Sequence, residues 1–151
     1  MTAFHIAQLN IARAKADMES EAMSGFVARL DEINSLADEA PGFIWRLQGE
    51  EGDANALRVF QDPQLIVNLT VWESLEALRD FVYKTAHVEL IRDREAWFKK
   101  LGESHMALWW VPQGTLPTVE EAKERLECVR ENGPTAQAFT FGKSFPVEQG
   151  G

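Results

Sequence analysis

A chain of 151 residues with 24 acidic and 15 basic side chains is long enough for one domain built around an apolar core. Its net charge of −9 opposes binding to a phosphate backbone or to an anionic membrane surface, so we expect neither nucleic acid nor membrane as a partner. The single cysteine, Cys128, cannot form an internal disulfide, and the sequence has neither a signal core nor an apolar run of roughly 18 residues. We therefore expect a cytoplasmic protein, and we expect no metal site because no histidine or carboxylate pair has ligand spacing.

The segment from Phe4 to Ile11 predicts a first strand that is buried on both faces, because the residues on each face are largely apolar. Gln8 and Asn10 then lie on one covered face, beside Ile6. A buried amide without a partner costs about 1 to 3 kcal/mol, so each must bond to backbone, another side chain, water or a ligand. An internal bond and a ligand contact both remain open for these two side chains.

The remaining elements alternate between strand and helix patterns. In chain order we predict a helix from about Glu19 to Glu39, strands from Phe43 to Gln48 and about Gln64 to Trp72, a helix from Leu75 that is interrupted near Thr85, a strand from His105 to Val111, and a helix within Leu116 to Asn132. Ser74 and Thr118 are the predicted N-caps of the second and third of these helices. Asn68 lies in the middle of the third strand among apolar neighbours, as Gln8 and Asn10 do in the first. This repetition predicts a pocket on that side of the sheet.

The second piece of the interrupted helix carries His87 in its first turn, and its inward face continues through Ile91 and Phe98. The positive end of a helix disfavours an imidazolium ion, so we expect a neutral His87 that can act as a base, a hydrogen-bond donor or a metal ligand. A histidine that only satisfies an inward polar position is the alternative.

The order of strands and helices is the βαββαβ pattern of a ferredoxin-like α+β domain. We expect one domain over residues 1–151, with its core at about 3–112 and an additional C-terminal helix and tail in 113–151. Helices would cover one face of the sheet, and the sheet of a second subunit is expected to cover the other, which gives a homodimer. Whether the tail docks on its own subunit stays open.

Several runs of sequence carry a resemblance to a known family. These runs are PGFIWRL, LTVWESLEALRDFVY, TAHVELIRDREAWF, LWWVP, PTVEEAKERL and GPTAQAFTF. They resemble an uncharacterised domain-of-unknown-function family of the dimeric α+β barrel superfamily, which also holds antibiotic-biosynthesis monooxygenases and haem-degrading monooxygenases. The resemblance spans nearly the whole chain and implies a dimeric α+β barrel with a pocket between sheet and helices in each half. It implies no assigned function.

The superfamily's enzymes suggest roles for particular residues. Its cofactor-independent monooxygenases use an Asn, a Trp and a His to hold a phenolic substrate while the substrate's own carbanion reduces dioxygen. Its haem-degrading members place an Asn on the first strand and a haem-ligating His at the start of the second long helix. By this resemblance Asn10 and His87 match those two positions. The helix position that the relatives fill with Trp corresponds to Phe81, while Trp72 lies earlier, at the strand end.

Three functional hypotheses follow from the residues and the resemblance. The leading one is a monooxygenase-like enzyme that needs no cofactor and acts on a small aromatic or polyketide-like molecule. Its expected catalytic residues are His87 as base, Asn10 (with Gln8) as oxyanion holder and Trp72 as the ring that stacks on the substrate, and its further substrate-binding residues are Asn68, Trp45, Phe81 and Ile91. The alternatives are a haem-binding or haem-degrading protein with His87 as axial ligand, and a non-catalytic dimeric small-molecule-binding or stress module whose pocket is filled by Trp45 or Trp72.

Overall fold

The computed structural model of the chain describes residues 4–16, 20–47, 59–61, 65–84, 97–99 and 105–145. The strands are β1 (Phe4–Ala14), β2 (Phe43–Arg46), β3 (Leu65–Trp72), β4 (Phe98–Lys99) and β5 (Met106–Pro112), and the helices are α1 (Ser24–Glu39), α2 (Leu75–Lys84) and α3 (Val119–Asn132). A single 3-10 turn at Glu21–Met23 leads into α1. Within these residues, none of the helices combines the length and the apolar character needed to cross a membrane.

Strand β1 lies in the centre of the sheet. It pairs antiparallel with β3 on one side and with β5 on the other, and β2 pairs with the outer edge of β3. The resulting order, β2-β3-β1-β5, is that of a ferredoxin-like α+β sheet. The predicted fold class is therefore confirmed.

The far end of β1 pairs with a short strand that the sequence pattern does not predict. β1 continues beyond Ile11 to Ala14, and β4 pairs with this extension through Arg13 opposite Lys99 and Ala14 opposite Phe98. The prediction that Phe98 continues a helical face is wrong. The helix prediction rests on the spacing of apolar residues within one segment. That spacing does not reveal that the extended end of β1 offers backbone hydrogen bonds to Phe98 and Lys99.

The side chains of β1 alternate between two apolar layers. On one face Ile6 packs in a layer with Trp72 from β3 and with residues of α1 and α2, namely Ile33, Ala37, Leu75, Leu78, Phe81 and Val82. On the other face Leu9 packs with Leu69, Trp109 and the apolar stripe of α3, which consists of Val119, Ala122, Leu126 and Val129. Both faces of the central strand are thus covered within one chain.

The covering of the second face by α3 corrects an expectation from the sequence. We expected the sheet of a second subunit there, but Leu9, Leu69 and Trp109 are fully buried by the chain's own α3 layer. The physical reason is that the apolar stripe of α3 also needs an apolar surface, and the second face of the sheet supplies it. The predicted homodimer stays a prediction, without the support of an uncovered face.

The segment after α3 returns along the outer edge of β5. Leu108 and Phe139 donate backbone hydrogen bonds to each other at 2.8 and 2.9 Å, and Phe139 is fully buried in the layer below α1 and α2. The indole of Trp110 donates to the carbonyl oxygen of Phe145 at 2.9 Å. The tail therefore docks on its own chain, which settles a point that the sequence left open.

Two helix starts have the side-chain caps that the sequence predicts. The Ala77 N–H donates to the Ser74 Oγ at 3.1 Å, and the Glu121 N–H donates to the Thr118 Oγ1 at 3.1 Å. These caps fix where α2 and α3 begin relative to the strands before them.

The turn between α1 and β2 lies tightly against the start of α2. Gly42 has a φ of 85°, and its carbonyl oxygen accepts a hydrogen bond of 2.7 Å from the Glu73 N–H. A Cβ added to Gly42 would lie only 2.5 Å from the Cβ of Ala77. Glycine is therefore required here both by the backbone conformation and by the contact.

We predict that Gly42→Ala destabilises the protein more than Gly114→Ala. Gly114 has a similar φ of 88° but nothing within 4 Å of an added Cβ, so it isolates the backbone cost, about 1 to 2 kcal/mol. The overlap with Ala77 should add about 1 to 3 kcal/mol at Gly42. Urea unfolding of the two variants measures the difference, and equal losses of stability would contradict the close packing of this turn.

An ion pair ties the end of α1 to β2. Arg46 donates from Nε to the Asp38 Oδ1 at 2.8 Å and from Nη2 to the Oδ2 at 3.2 Å. The hydrogen bond from Arg46 lowers the pKa of Asp38 below its usual 3.8; burial opposes this shift, and the positive charge of Arg46 adds to it.

The lowered pKa of Asp38 predicts a pH-dependent contribution to stability. Because the folded-state pKa lies below the unfolded-state value, the ion pair stabilises the protein above about pH 4 and this stability is lost as the pH falls through the folded-state pKa. Asp38→Asn should therefore lower the free energy of unfolding at pH 7, by less than about 1 kcal/mol since the pair is half-exposed, and this loss should shrink as the pH falls below about 4. Glu39→Gln, which removes the adjacent exposed carboxylate, is the control; a loss for Asp38→Asn that does not change with pH would count against the ion pair.

Candidate functional site

Four polar side chains form a band across the face of the sheet that α1 and α2 cover. This polar band consists of Gln8 and Asn10 on β1 and of Thr70 and Asn68 on β3. Gln8 lies opposite Thr70 and Asn10 lies opposite Asn68 in the antiparallel register. Opposite residues point to the same face with their Cβ atoms about 5 Å apart, so the four side chains are neighbours.

The polar band separates two apolar clusters on the same face. The cluster at the Ile6 end holds Trp72 and Phe81, and the cluster at the other end packs Phe26 against Ile66 and other residues, namely Ala14, Met23, Trp97 and Phe98. The clusters bring aromatic rings to both sides of the band. This is the composition of a small-molecule site, in which a mainly apolar wall carries a few polar groups.

Burial decreases along the polar band. The exposed fraction is 4% for Gln8 and 5% for Thr70, whereas Asn10 is half-buried and Asn68 is exposed. The band therefore runs from the interior of the domain to its surface. Its outer half is accessible to solvent, and its inner half must be satisfied by hydrogen bonds.

A chain of two hydrogen bonds joins the inner half of the band to Trp72. The Trp72 Nε1–H donates to the Thr70 Oγ1 at 3.1 Å, and the Thr70 hydroxyl donates to the Gln8 Oε1 at 2.9 Å. We call this the Trp72–Thr70–Gln8 chain. No hydrogen bond among the described residues uses the Gln8 Nε2. Its two N–H groups can therefore donate to a ligand or to water.

Trp72 is enclosed by other aromatic rings. Its exposed fraction is 1%, and its ring centroid lies 5.4 Å from that of Phe43 and 5.1 Å from that of Phe81, at interplanar angles of 82° and 31°. These contacts place the indole firmly in the protein interior. Its predicted role in stacking on a substrate ring stays a prediction.

Trp45 lies on the opposite face of the sheet from the polar band. The register shifts between Phe43, which is opposite Trp72, and Trp45, which is opposite Val71. Two residues of β2 therefore span one step of β3, as in a β-bulge, and Trp45 packs in the α3 layer. Strict alternation along Phe43 to Gln48 would put Phe43 and Trp45 on one face, and the bulge places them on opposite faces.

The structure brings most of the other predicted site residues together. Gln8, Asn10 and Asn68 form the polar band, and Trp72 and Phe81 flank its inner end. His87 and Ile91 lie outside the described residues, so the predicted base and the predicted lining residue stay predictions.

Thr70 is a site residue that the sequence reasoning did not select. Alternation already placed it on the same face as Asn68, but its partner Gln8 becomes evident only from the pairing of β1 with β3. Knowledge of that register was the missing signal.

A depression of about 440 Å³ lies beside the turn between α1 and β2. Its lining consists of Ala40, Pro41, Gly42, Glu73, Ala77, Asp80 and Phe81. It shares Phe81 with the surroundings of Trp72, but none of the four residues of the polar band lines it.

The chemical groups of the polar band are amides and a hydroxyl. In the described part of the chain, no three His, Cys, Asp or Glu residues are grouped so that they could hold a metal ion. His5 lies opposite Val111, which packs in the α3 layer, and His105 is exposed next to β5. The haem hypothesis depends on His87, which lies outside the described residues, whereas the band itself is suited to orienting a ligand through hydrogen bonds.

Comparison with known proteins gives a family but no activity. No curated protein matches the chain. A protein of unknown function from Nitrosomonas europaea shares 10% identity over 76% of this chain and 93% of its own, with a TM-score of 0.48. Two proteins classed with the antibiotic biosynthesis monooxygenases each share 18% identity. The match to the one from Nitrosomonas europaea covers 78% of this chain and 96% of that protein, with a TM-score of 0.45. The match to the one from Chloroflexus aurantiacus covers 76% of this chain and 93% of that protein, with a TM-score of 0.42. A family model described as a domain of unknown function (DUF3291) matches residues 5–151, and the chain belongs to that family, in agreement with the resemblance seen in its sequence.

Proposed function

We propose that the chain binds a small aromatic molecule at the polar band and acts on it as a monooxygenase-like enzyme that needs no cofactor. The observation that carries this proposal is the polar band itself, a row of amides and a hydroxyl that enters the domain between two clusters rich in aromatic residues. The apolar clusters suit the faces of a ring, and the amides suit an oxygen substituent on it.

The proposed reaction uses the amides to stabilise negative charge. A base removes a proton from an activated C–H bond of the substrate, and the resulting carbanion delocalises onto a carbonyl or phenolic oxygen. Hydrogen bonds from the side chains of Gln8 and Asn10 to that oxygen stabilise the anion. His87, predicted from the sequence as this base, lies outside the described residues.

The substrate itself supplies the electrons in this scheme. The carbanion reduces dioxygen and forms a carbon–oxygen bond, which gives a peroxide at the former CH2 carbon. Loss of water then leaves a carbonyl group. One oxygen atom of O2 enters the product, the other leaves as water, and the oxidation of CH2 to C=O provides the four electrons that O2 accepts.

Oxygen uptake with 1,8-dihydroxyanthrone tests the proposal. We expect the protein to raise the initial rate above that of the uncatalysed oxidation, and 18O2 to place one labelled oxygen in the product. Asn10→Ala should lower the protein-dependent rate by about 100-fold, because it removes a donor to the oxyanion. Asn132→Ala, which removes an exposed amide at the end of α3, is the matched control.

Two results of this assay would contradict the proposal. One is a rate with protein that equals the uncatalysed rate, and the other is an Asn10→Ala variant that is as active as the Asn132→Ala control.

A non-catalytic small-molecule-binding module is the second candidate. The observation that favours it is the packing of Trp72 between Phe43 and Phe81, because these two rings occupy positions beside Trp72 where a substrate ring would have to stack. This candidate predicts that aromatic probes bind while oxygen uptake stays at the uncatalysed rate.

A further inference from the structure

We infer that Thr70 is a positioning residue that fixes Gln8 as a hydrogen-bond donor, so that the site selects ligands with an acceptor oxygen, such as a ketone, enolate or phenolate. This inference rests on the proposed function, because it assumes that the polar band receives a ligand. It adds that the inner end of the band recognises a hydrogen-bond acceptor on the ligand rather than a donor.

The Trp72–Thr70–Gln8 chain runs from the indole through the hydroxyl to the amide oxygen. An indole N–H can only donate, so in the 3.1 Å contact the Thr70 Oγ1 is the acceptor. The hydroxyl has one hydrogen, which it donates to Gln8 over 2.9 Å. Only the carbonyl oxygen of Gln8 can accept it, since the amide NH2 group offers no acceptor. This hydrogen bond turns the Oε1 of the Gln8 amide towards Thr70.

This orientation leaves Gln8 with donors rather than an acceptor. The Oε1 is used by Thr70, and the planar amide directs the Nε2 away from it. Gln8 is 4% exposed, and none of the hydrogen bonds within the described ranges involves the Nε2. A donor on a largely buried amide that has no partner among the described residues favours a ligand that brings an acceptor and disfavours one that brings an apolar group or another donor.

The selectivity can be measured with two probes of the same shape. 2-Acetylnaphthalene carries a ketone, and 2-isopropenylnaphthalene has C=CH2 in place of C=O. We expect the wild-type protein to bind the ketone about tenfold more tightly, as for one well-formed hydrogen bond, by fluorescence titration or calorimetry. The ratio of the two affinities is the readout, because a general loss of packing would weaken both probes together.

Four variants assign this ratio to the Trp72–Thr70–Gln8 chain. Gln8→Met keeps the length of the side chain and removes its donors, so the ratio should fall to about 1. Thr70→Val removes the hydroxyl that orients Gln8, and the ratio should fall towards 1 as well. Thr70→Ser keeps the hydroxyl and should keep the ratio. Trp72→Phe keeps a ring but frees the Thr70 hydroxyl, and should reduce the ratio less than Thr70→Val does.

The outcomes separate this inference from the proposed function. If neither probe binds to the wild-type protein, the proposed function fails and the inference fails with it. If both probes bind equally to the wild-type protein, the site stands and the inference is overturned. Preference for the ketone that persists in Gln8→Met, or in a folded Thr70→Val, also overturns it. Should Thr70→Val not fold by circular dichroism, Gln8→Met and Thr70→Ser decide.

Discussion

The burial of β1 on both faces is the constraint on which the rest of this structure depends. A strand covered on both sides can hold a polar side chain only if the domain satisfies it, and an unsatisfied amide costs about 1 to 3 kcal/mol. The Gln8 Oε1 meets this requirement by accepting a hydrogen bond from the Thr70 hydroxyl, and the Thr70 Oγ1 in turn accepts one from the Trp72 indole. The bond also specifies the register of β1 against β3, because a shift by one residue would turn Gln8 to the α3 layer, away from its partner.

The two faces of the sheet differ in chemistry. The face below α1 and α2 mixes aromatic clusters with the polar band, whereas the face below α3 is packed almost wholly with apolar side chains. On that second face the buried Trp109 Nε1 has no hydrogen-bond partner within the part of the chain that the structure describes. Selective binding needs directional groups, so the mixed face is the one suited to ligand recognition and the α3 face serves stability.

The sequence predicted the parts of the site that depend on local periodicity. Alternation placed Gln8, Asn10 and Asn68 on one face, and composition at the helix starts located the caps at Ser74 and Thr118. The parts that failed depend on contacts between segments. Thr70 is recognised through the strand register, Trp45 is turned to the other face by a bulge that alternation does not reveal, and the apolar stripe of α3 does not say which surface it covers.

The position of α3 in the chain has a consequence for biosynthesis. It follows every strand of the sheet, so the ribosome completes β1 to β5 before the helix that shields their second face exists. At about 5 to 20 residues per second, the roughly 20 residues from Pro112 to Asn132 take about 1 to 4 s to translate. Until α3 has packed on the sheet, the folding chain presents an apolar surface around Leu9, Leu69 and Trp109, and transiently exposed surface of this kind is what chaperones protect.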